Sequence, residues 1–364
     1  MNEQILTLTK TLKARNGRRK LTIAVTGLNN IDSPGPGVPV IRGLKEAAGF
    51  EARIIGLAYE NLEPGIYMPG MVDKAYQIPY PSVGHDTLLS RIEYIHEREQ
   101  LDVIIPNFDA ELYSFIKIQP KLKQMGIHML LPTLEQFDAR LKGKLFQFGE
   151  KYGIAVPKSE EVFSGDELTE KLKKFDYPVA IKGKFYEAGI AHSLDQAKAY
   201  FYKIAAKWGT PIIIQEFIKG QELNVTALGD GRGRMIGAVP MRKTYITDSG
   251  KGWAGISLGD SSLVKMADQL ISKTKWAGGL ELELIKEEKT GKIYLIEINP
   301  RFPAWVYLAV ACGQNHPEAL VRLAMGEKVA PFKKYEVGKL FIRYSYDMIC
   351  NLADFEKMAI DGER

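Results

Sequence analysis

The polar side chains with the clearest chemistry lie on two segments that alternate apolar and polar residues, 280–285 and 292–299. Such alternation predicts two strands, each with one polar face, joined as a hairpin by a turn at residues 289–292. The polar side chains that this hairpin gathers are Glu281, Glu283, Glu297, Asn299 and, directly after Pro300, Arg301. Carboxylate and amide oxygens in this number suit Mg²⁺ that bridges nucleotide phosphates better than zinc or a redox metal. The simpler alternative is a hairpin whose charges only face solvent.

The composition limits the remaining possibilities. The chain has 364 residues, 45% hydrophobic and 26% charged, which is ordinary globular composition at a length that predicts two or three domains. The net charge of +5 fits an anionic substrate or nucleotide, and the absence of a dense basic stripe with interleaved aromatic residues argues against nucleic acid. The two cysteines, Cys312 and Cys350, lack metal-binding spacing, and no apolar run reaches membrane-spanning length. We therefore expect a reduced, soluble, cytoplasmic protein.

Strand and helix patterns alternate through the first third of the chain. Apolar runs predict strands at residues 21–27, 53–58, 101–106 and 127–131, and helical spacing predicts helices at 38–48, 86–99 and 111–125. This order predicts a parallel α/β domain at residues 21–132, preceded by a basic, solvated arm at residues 1–20. The loop at 29–37 lacks the glycine spacing of a dinucleotide site, so we expect it to shape a substrate cleft. Asp109 and Glu111 follow another strand end and either enter this cleft or favour the dipole of the next helix.

The rest of the chain divides into three parts, at residues 133–215, 216–330 and 331–364. The first opens with a helical pattern at 133–152 and continues as a small lobe, in which Lys182 ends an apolar strand. A lysine there either reaches solvent or faces an anion. The second part carries the strand patterns of a mostly antiparallel α+β unit, and its Gly-, Ser- and Thr-rich segment 244–257 predicts a mobile active-site loop. The amphipathic tail that follows has no predicted place.

Taken in order, these features resemble the ATP-grasp superfamily, in the branch that contains carbamoyl-phosphate synthase and biotin carboxylase. The resemblance covers roughly residues 21–326, and its most specific part is Glu283 together with the run Glu297-Ile-Asn299-Pro-Arg301. Residues 102–112 look like the end of the domain that precedes the grasp in this branch. The resemblance implies an ATP-grasp fold with an N-terminal parallel α/β domain, a small lid lobe and a C-terminal, mostly antiparallel lobe.

The resemblance also implies ATP and Mg²⁺ as cofactors and a role for each matching residue. The implied metal ligands are Glu283, Glu297 and Asn299. Arg301 would stabilise the transferred phosphoryl group, and Lys144 and Lys182 would meet the nucleotide phosphates as point charges. The implied adenine and ribose contacts are the backbone hinge at Gln215, Glu216, Phe217 and Ile218, Leu295 under the ring, and Glu222 on the ribose hydroxyls.

One segment departs from the family pattern. The small lobe of the family carries a glycine-rich loop over the phosphates, whereas residues 182–189 hold only two glycines with bulky residues between them. Lys184 would then replace backbone amides as a phosphate contact, or the lid would close less tightly.

The implied reaction starts from a carboxylate, which is a poor electrophile until ATP converts it into an acyl phosphate. Arg242 and Lys243, with Arg301, would contact this carboxylate and the acyl phosphate, unless the first two belong to a solvated loop. We therefore predict a Mg²⁺-dependent carboxylate–amine ligase that acts on small molecules, with no nucleic-acid or membrane partner. Homodimers are common among the proteins it resembles. Two alternatives stay open: an ATP-using carboxylate kinase or carboxylase of the same fold, and a non-catalytic nucleotide-binding partner.

Overall fold

The structure, a computed structural model, describes residues 19–31, 33–184, 187–247 and 250–364. Nearly all of the predicted basic arm at 1–20 therefore lies outside the described residues. So do two bulky residues of the predicted lid segment, two residues of the predicted active-site loop and one residue of the loop at 29–37.

The first domain is a parallel sheet with helices on both faces, as predicted. Its strands are β1 (Arg19–Val25), the two-residue β2 (Asn30–Ile31) and β3 (Ser33–Pro34), β4 (Phe50–Ala58), β5 (Lys74–Gln77) and β6 (Val103–Ile105). The sheet order is β5-β4-β1-β6, and β2 pairs only with β3. The helices are α1 (Gly37–Lys45), α2 (His85–Glu99) and α3 (Asp109–Gln124).

Neighbouring residues of β1 show why both faces are covered. Ile23 packs with residues of α1 in one core cluster, whereas Ala24 packs with residues of α2 and α3 in another. A strand buried on both faces reads as a continuous apolar run, which is the pattern of a parallel sheet. The predicted strand at 127–131 is wrong, because His128 forms only a single bridge to Val103. The short strand β5 carries no apolar run and was not predicted.

The small lobe is an antiparallel sheet in the order β7-β10-β8-β9, with strands β7 (Ser159–Val162), β8 (Val179–Gly183), β9 (Ala188–Ala191) and β10 (Ile212–Glu216). Four helices belong to this region: α4 (Leu134–Ala139), α5 (Leu145–Tyr152), α6 (Gly165–Leu172) and α7 (Leu194–Trp208). The prediction of one helix at 133–152 is wrong, because the chain leaves the helix between α4 and α5. Gly143 lies in this break, next to the carboxylate of Glu161.

The large lobe is a six-stranded antiparallel sheet, which confirms the predicted antiparallel lobe. Its strands are β11 (Gly220–Asp230), β12 (Met235–Ile246), β13 (Gly252–Ser257), β14 (Ala277–Glu287), β15 (Ile293–Asn299) and β16 (Leu340–Ile342). The order is β15-β14-β11-β12-β13-β16. The helices around it are α8 (Ser261–Thr274), α9 (Tyr307–Ala311) and α10 (His316–Ala324). The predicted loop at 244–257 is largely a strand hairpin, because backbone pairing of β12 with β13 needs no apolar alternation.

The C-terminal tail links the large lobe to the first domain. After β16, the helix α11 (Leu352–Ile360) leads to a last segment that pairs with the edge strand β5, where Ala75 and Arg364 exchange two backbone hydrogen bonds of 2.9 and 3.0 Å. Met358 of α11 is fully buried in the first domain. No helix within the described ranges is both long and apolar enough to cross a membrane.

Candidate active site

The predicted polar hairpin is present as β14 and β15, and its register gathers the acidic side chains on one face. Glu283 pairs with Glu297, and Glu281 pairs with Asn299. Asn224 of β11 pairs with Glu283 from the other side. The alternate residues of β14 pack against α8, so these polar side chains lie on the opposite face, which we call the site face.

Glu281 anchors the site face. Its carboxylate accepts hydrogen bonds from Asn224 Nδ2 at 3.0 Å, from Trp305 Nε1 at 2.7 Å and from Asn299 Nδ2 at 3.1 Å, and only 6% of the residue is exposed. Asn299 Nδ2 also lies 3.5 Å from Glu283 Oε1. Because the side-chain nitrogen of Asn299 faces both carboxylates, the side-chain oxygen of Asn299 is the atom left available to a cation.

Glu283 and Glu297 are the two remaining acids of the site face. Burial, and then the neighbouring charge of Glu281, raises the pKa of Glu283. Burial also raises the pKa of Glu297, against the opposing effect of Lys142. No cluster of three or more His, Cys, Asp or Glu side chains that could hold a metal is found among the described residues. Two acids and an amide still fit Mg²⁺, which is held by one or two carboxylates together with substrate phosphates.

Two lysines reach the acids from the linker and the small lobe. Lys142 Nζ lies 3.4 Å from Glu297 Oε2, and Lys182 Nζ donates to Gln215 Oε1 at 2.6 Å. Burial, and then the charge of Lys142, lowers the pKa of Lys182, whereas the nearby Glu297, Glu283 and Glu222 raise it. Lys182 therefore lies within electrostatic reach of Glu297, Glu283 and Glu222.

The other two predicted lysines, Lys144 and Lys184, are exposed to solvent. Lys144 is exposed at the start of α5, and the lysine that reaches Glu297 is Lys142. The phosphate contact implied for Lys144 stays a prediction, and in this structure the break before α5 places Lys142 beside Glu297 instead. Lys184 is exposed beside the undescribed part of the lid segment.

The residue expected under the adenine ring is also corrected. The pairing shifts by one residue within the hairpin, so that Leu284 pairs with Leu295 while Glu283 pairs with Glu297. This bulge turns the fully buried Leu295 into the core behind the sheet, away from the acids. The half-buried Ile285 instead lies on the site face, directly opposite Glu222 of β11.

The predicted hinge residues follow the end of β10. Gln215 is buried and engages Lys182, and Ile218 is also buried. Glu216 is exposed, its backbone N–H donates to Lys158 O at 2.8 Å, and Phe217 is exposed. The structure thus brings Gln215, the first residue of the predicted hinge, into contact with Lys182.

Arg242 and Lys243 are separated by the pleat of β12. Lys243 is half-buried on the site face, close enough that its charge lowers the pKa of Glu283 against the effect of burial. Arg242 is exposed and points to the opposite face, because neighbouring strand residues alternate. The prediction that both contact one substrate group is therefore wrong for Arg242.

Arg301 joins the first domain to the site. Its guanidinium lies 3.4 Å from Asp109 Oδ1 and 3.8 Å from Glu281 Oε2. Of the two alternatives for the acids after β6, Asp109 enters the cleft. Glu111 is instead fully buried and accepts from the backbone N–H of Asn107 and Phe108.

Two further arginines at the site were not predicted. Arg140 lies in the break before α5, and burial lowers its pKa, whereas the charges of Asp109 and Glu297 raise it. Arg343 follows β16, where its backbone N–H donates to Trp253 O at 2.9 Å. Burial lowers the pKa of Arg343, and the charge of Glu281 raises it. The basic run at 140–144 was a visible signal for the first, but the second lies in the tail and has no local signal.

Comparisons with known proteins agree with this geometry. A family model described as ATP-grasp in the biosynthetic pathway with Ter operon matches residues 209–341. The carbamoyl phosphate synthase large chain of Clostridium beijerinckii is 26% identical over 257 residues, 65% of this chain and 23% of that protein. The same protein of Gemmatimonas aurantiaca is 26% identical over 345 residues, 87% of this chain and 29% of that protein. This chain thus spans less than a third of the length of these relatives.

Solved structures extend the similarity to the whole fold. The biotin carboxylase domain of Hydrogenobacter thermophilus 2-oxoglutarate carboxylase, in complex with MgADP, ADP and bicarbonate, matches with a TM-score of 0.68 and 17% identity, over 88% of this chain and 73% of that one. N5-carboxyaminoimidazole ribonucleotide synthetase from Thermotoga maritima matches with a TM-score of 0.59 and 18% identity, over 86% of this chain and 78% of that one. Together with the hairpin of acids and its two facing lysines, these matches support an ATP-grasp fold for this chain and its similarity to ATP-grasp ligases.

Proposed function

We propose that this chain is a Mg²⁺- and ATP-dependent ligase that joins a small carboxylic acid to an amine. The observation that carries the proposal is the convergence of Glu283, Glu297 and Asn299 with two lysines, one from the linker and one from the small lobe. Phosphoryl transfer needs positioning and charge neutralisation more than covalent catalysis, and this arrangement supplies both. The names of the relatives, which are synthases, synthetases and carboxylases, support the same class.

The acids and the lysines would contact different parts of the Mg²⁺–nucleotide complex. Glu283, Glu297 and the Asn299 oxygen would hold Mg²⁺, which neutralises phosphate charge when bound. Lys142 and Lys182 would contact the phosphates as point charges. The raised pKa values of the two glutamates fit this role, because buried acids that resist ionisation gain most from a nearby cation.

The base and ribose would lie along the strand end next to this cluster. The backbone at Gln215, Glu216, Phe217 and Ile218 would bind the adenine edge, and Ile285 would lie against the ring. Glu222, directly opposite Ile285 in the sheet, would accept from the ribose hydroxyls.

The acid substrate would bind on the cationic side of the cleft, where Arg301 and Arg343 face Glu281 and Lys243 faces Glu283. One substrate carboxylate oxygen attacks the γ-phosphorus of ATP, and ADP leaves. The amine nitrogen then attacks the carbonyl carbon of the acyl phosphate, and phosphate departs as the amide forms. The cations stabilise the negative charge that accumulates in both steps.

An ADP-release assay across pooled candidate acids, with and without amines, tests this proposal, and mass spectrometry identifies the product. Glu297→Gln should abolish ADP release while the protein stays folded by circular dichroism. Glu288→Gln is the matched control, because Glu288 is exposed in the turn of the same hairpin. ATP binding without turnover on any acid would instead favour a non-catalytic nucleotide-binding partner.

A carboxylase is the second candidate, since the neighbour from Hydrogenobacter thermophilus is a carboxylase domain with bound bicarbonate. Bicarbonate-dependent ADP release that no amine increases would favour it over the ligase. That neighbour is described as a dimer, and we infer that this chain also forms a homodimer.

A further inference from the structure

The large sheet has an apolar area that no described element covers. Helix α8 packs on the face opposite the site, over β11, β14 and the first half of β12. Beyond α8, none of the helices in the described ranges packs on this back face over β13 and β16. The exposed side chains there, which we call the edge patch, are Tyr245, Leu340, Ile342, Tyr344 and Tyr346.

The register explains why these side chains share one face. Ala254 of β13 pairs with Tyr245 on one side and with Ile342 on the other. Leu340 and Tyr344 lie two residues before and after Ile342, so their side chains share its face. The ring of Tyr346 stacks on that of Tyr344 with centroids 5.4 Å apart. Monomeric proteins rarely leave such a contiguous apolar patch in water.

The edge patch borders an open strand edge. Strand β16 is the last strand of the sheet and has no neighbour on its outer side within the described ranges. The backbone N–H of Arg343 donates inward to Trp253 O, so by alternation the N–H and C=O groups of Leu340, Ile342 and Tyr344 point outward. Only Arg343 and Asp347 carry charge between residues 340 and 352, although exposed edges are usually protected by charge or proline.

We propose that β16 pairs in antiparallel fashion with β16 of a second copy of this chain, about a two-fold axis at Ile342. The two large sheets then form one continuous sheet, and both edge patches are buried together. In this register Leu340 lies opposite the partner's Tyr344, an aliphatic–aromatic pair of the kind that stabilises antiparallel sheets. Arg343 lies opposite the partner's Phe341, so no like charges face each other.

The size of the patch fits a stable dimer. The exposed parts of the edge patch amount to on the order of 600 Å², whereas a standard interface buries about 800 Å² from each partner, of which about 65% is apolar in homodimers. Depletion of charge at the centre is typical of such interfaces. A two-fold pairing uses both open edges and therefore closes at two copies instead of growing into a fibre.

Light scattering coupled to size-exclusion chromatography of the full chain tests the proposal. The wild type should elute as a dimer, and Ile342→Pro should dissociate it by about 100-fold or more in Kd, because proline removes an outward N–H and leaves the inward bonds to β13 intact. Ile360→Asp is the control, since Ile360 is similarly exposed on α11, away from the patch, and should leave the dimer unchanged. A monomeric wild type, or a dimer that survives Ile342→Pro, would overturn the proposal.

A cross-link gives a second measurement that does not depend on the folding of the proline variant. In a Cys350→Ser background, which removes the exposed native thiol, Ile342→Cys should form a disulfide between two copies under mild oxidation. Directly opposed residues of an antiparallel pair lie about 4.5–5.5 Å apart at Cα, within the disulfide range. Ile360→Cys in the same background should stay monomeric on a non-reducing gel. Equal cross-linking of both variants, or of neither, would contradict the proposed axis.

Discussion

Replacing one lysine tests the central geometry, because two lysines only two residues apart occupy different places. Lys142 forms an ion pair with Glu297, whereas Lys144 is exposed at the start of α5. Lys142→Met removes the charge and keeps most of the side-chain volume. We expect this variant to lose ATP-dependent activity, and we expect Lys144→Met to keep it within about threefold.

The magnitude follows from the distance and the exposure. A charge pair at 3.4 Å interacts by about 5 kcal/mol at an effective dielectric constant of about 20. About a quarter of each side chain is exposed in this pair, so solvent screening leaves less than about 1 kcal/mol of it as folding stability. A charge-assisted contact to a phosphate is worth about 2–3 kcal/mol. The loss in kcat/KM for ATP should therefore be about 30- to 150-fold, with little change in melting temperature.

The assay is ADP release with the identified acid and amine, together with ATP affinity measured by calorimetry. Melting curves of both variants check that the fold is intact. If Lys144→Met reduced kcat/KM by 30-fold or more while Lys142→Met stayed near wild type, the assignment of the phosphate contact to Lys142 would be refuted.

Three other predictions concern single residues at different depths of the molecule. Ile285→Ala should raise KM for ATP by about tenfold with only a small loss of stability, because Ile285 is half-buried. Leu295→Ala should lower the free energy of unfolding by about 2–5 kcal/mol, because Leu295 is fully buried. ATP titration and thermal melts of both variants compare the two effects. Arg343→Met should raise KM for the acid but not the Kd for ATP, and equal loss of both would contradict its place on the acid side of the cleft. Burial raises the pKa of Glu63 from 4.5 to about 7, so the folded state binds this proton more tightly than the unfolded state does. The free energy of unfolding should therefore fall by up to about 3 kcal/mol as the pH rises from 4.5 to 7. Urea unfolding of Glu63→Gln should lack this pH dependence.

Much of the fold could be predicted from the spacing of apolar residues along the chain. The buried strands β1 and β4 and the alternating pair β14 and β15 each carry a pattern long enough to define their type. Short elements such as β5 could not be predicted in this way, because four residues are too few to show a repeating pattern of apolar side chains.

The errors at the site have the same origin. Simple alternation groups Leu295 with Glu297, but one extra residue in β15 reverses the face of every side chain before it. Alternation also separates Arg242 from Lys243, which composition alone had grouped as one cationic loop. Arg343 comes to Glu281 only because β16 joins the sheet from a distant part of the chain, and no local pattern reports such a pairing.

The first domain shows why the candidate site lies between domains and not within the first domain. Its chain turns back between β1 and β6, and this switch point is where parallel α/β domains normally bind ligands. Here Glu111 fills the crevice, accepting from the hydroxyls of Thr26 and Tyr59. Gly37 packs so closely on Thr26 O that neither a side chain nor a ligand would fit between them. Asp109, two residues earlier on the same helix, instead points across to Arg301, so the first domain contributes a side chain to the candidate site.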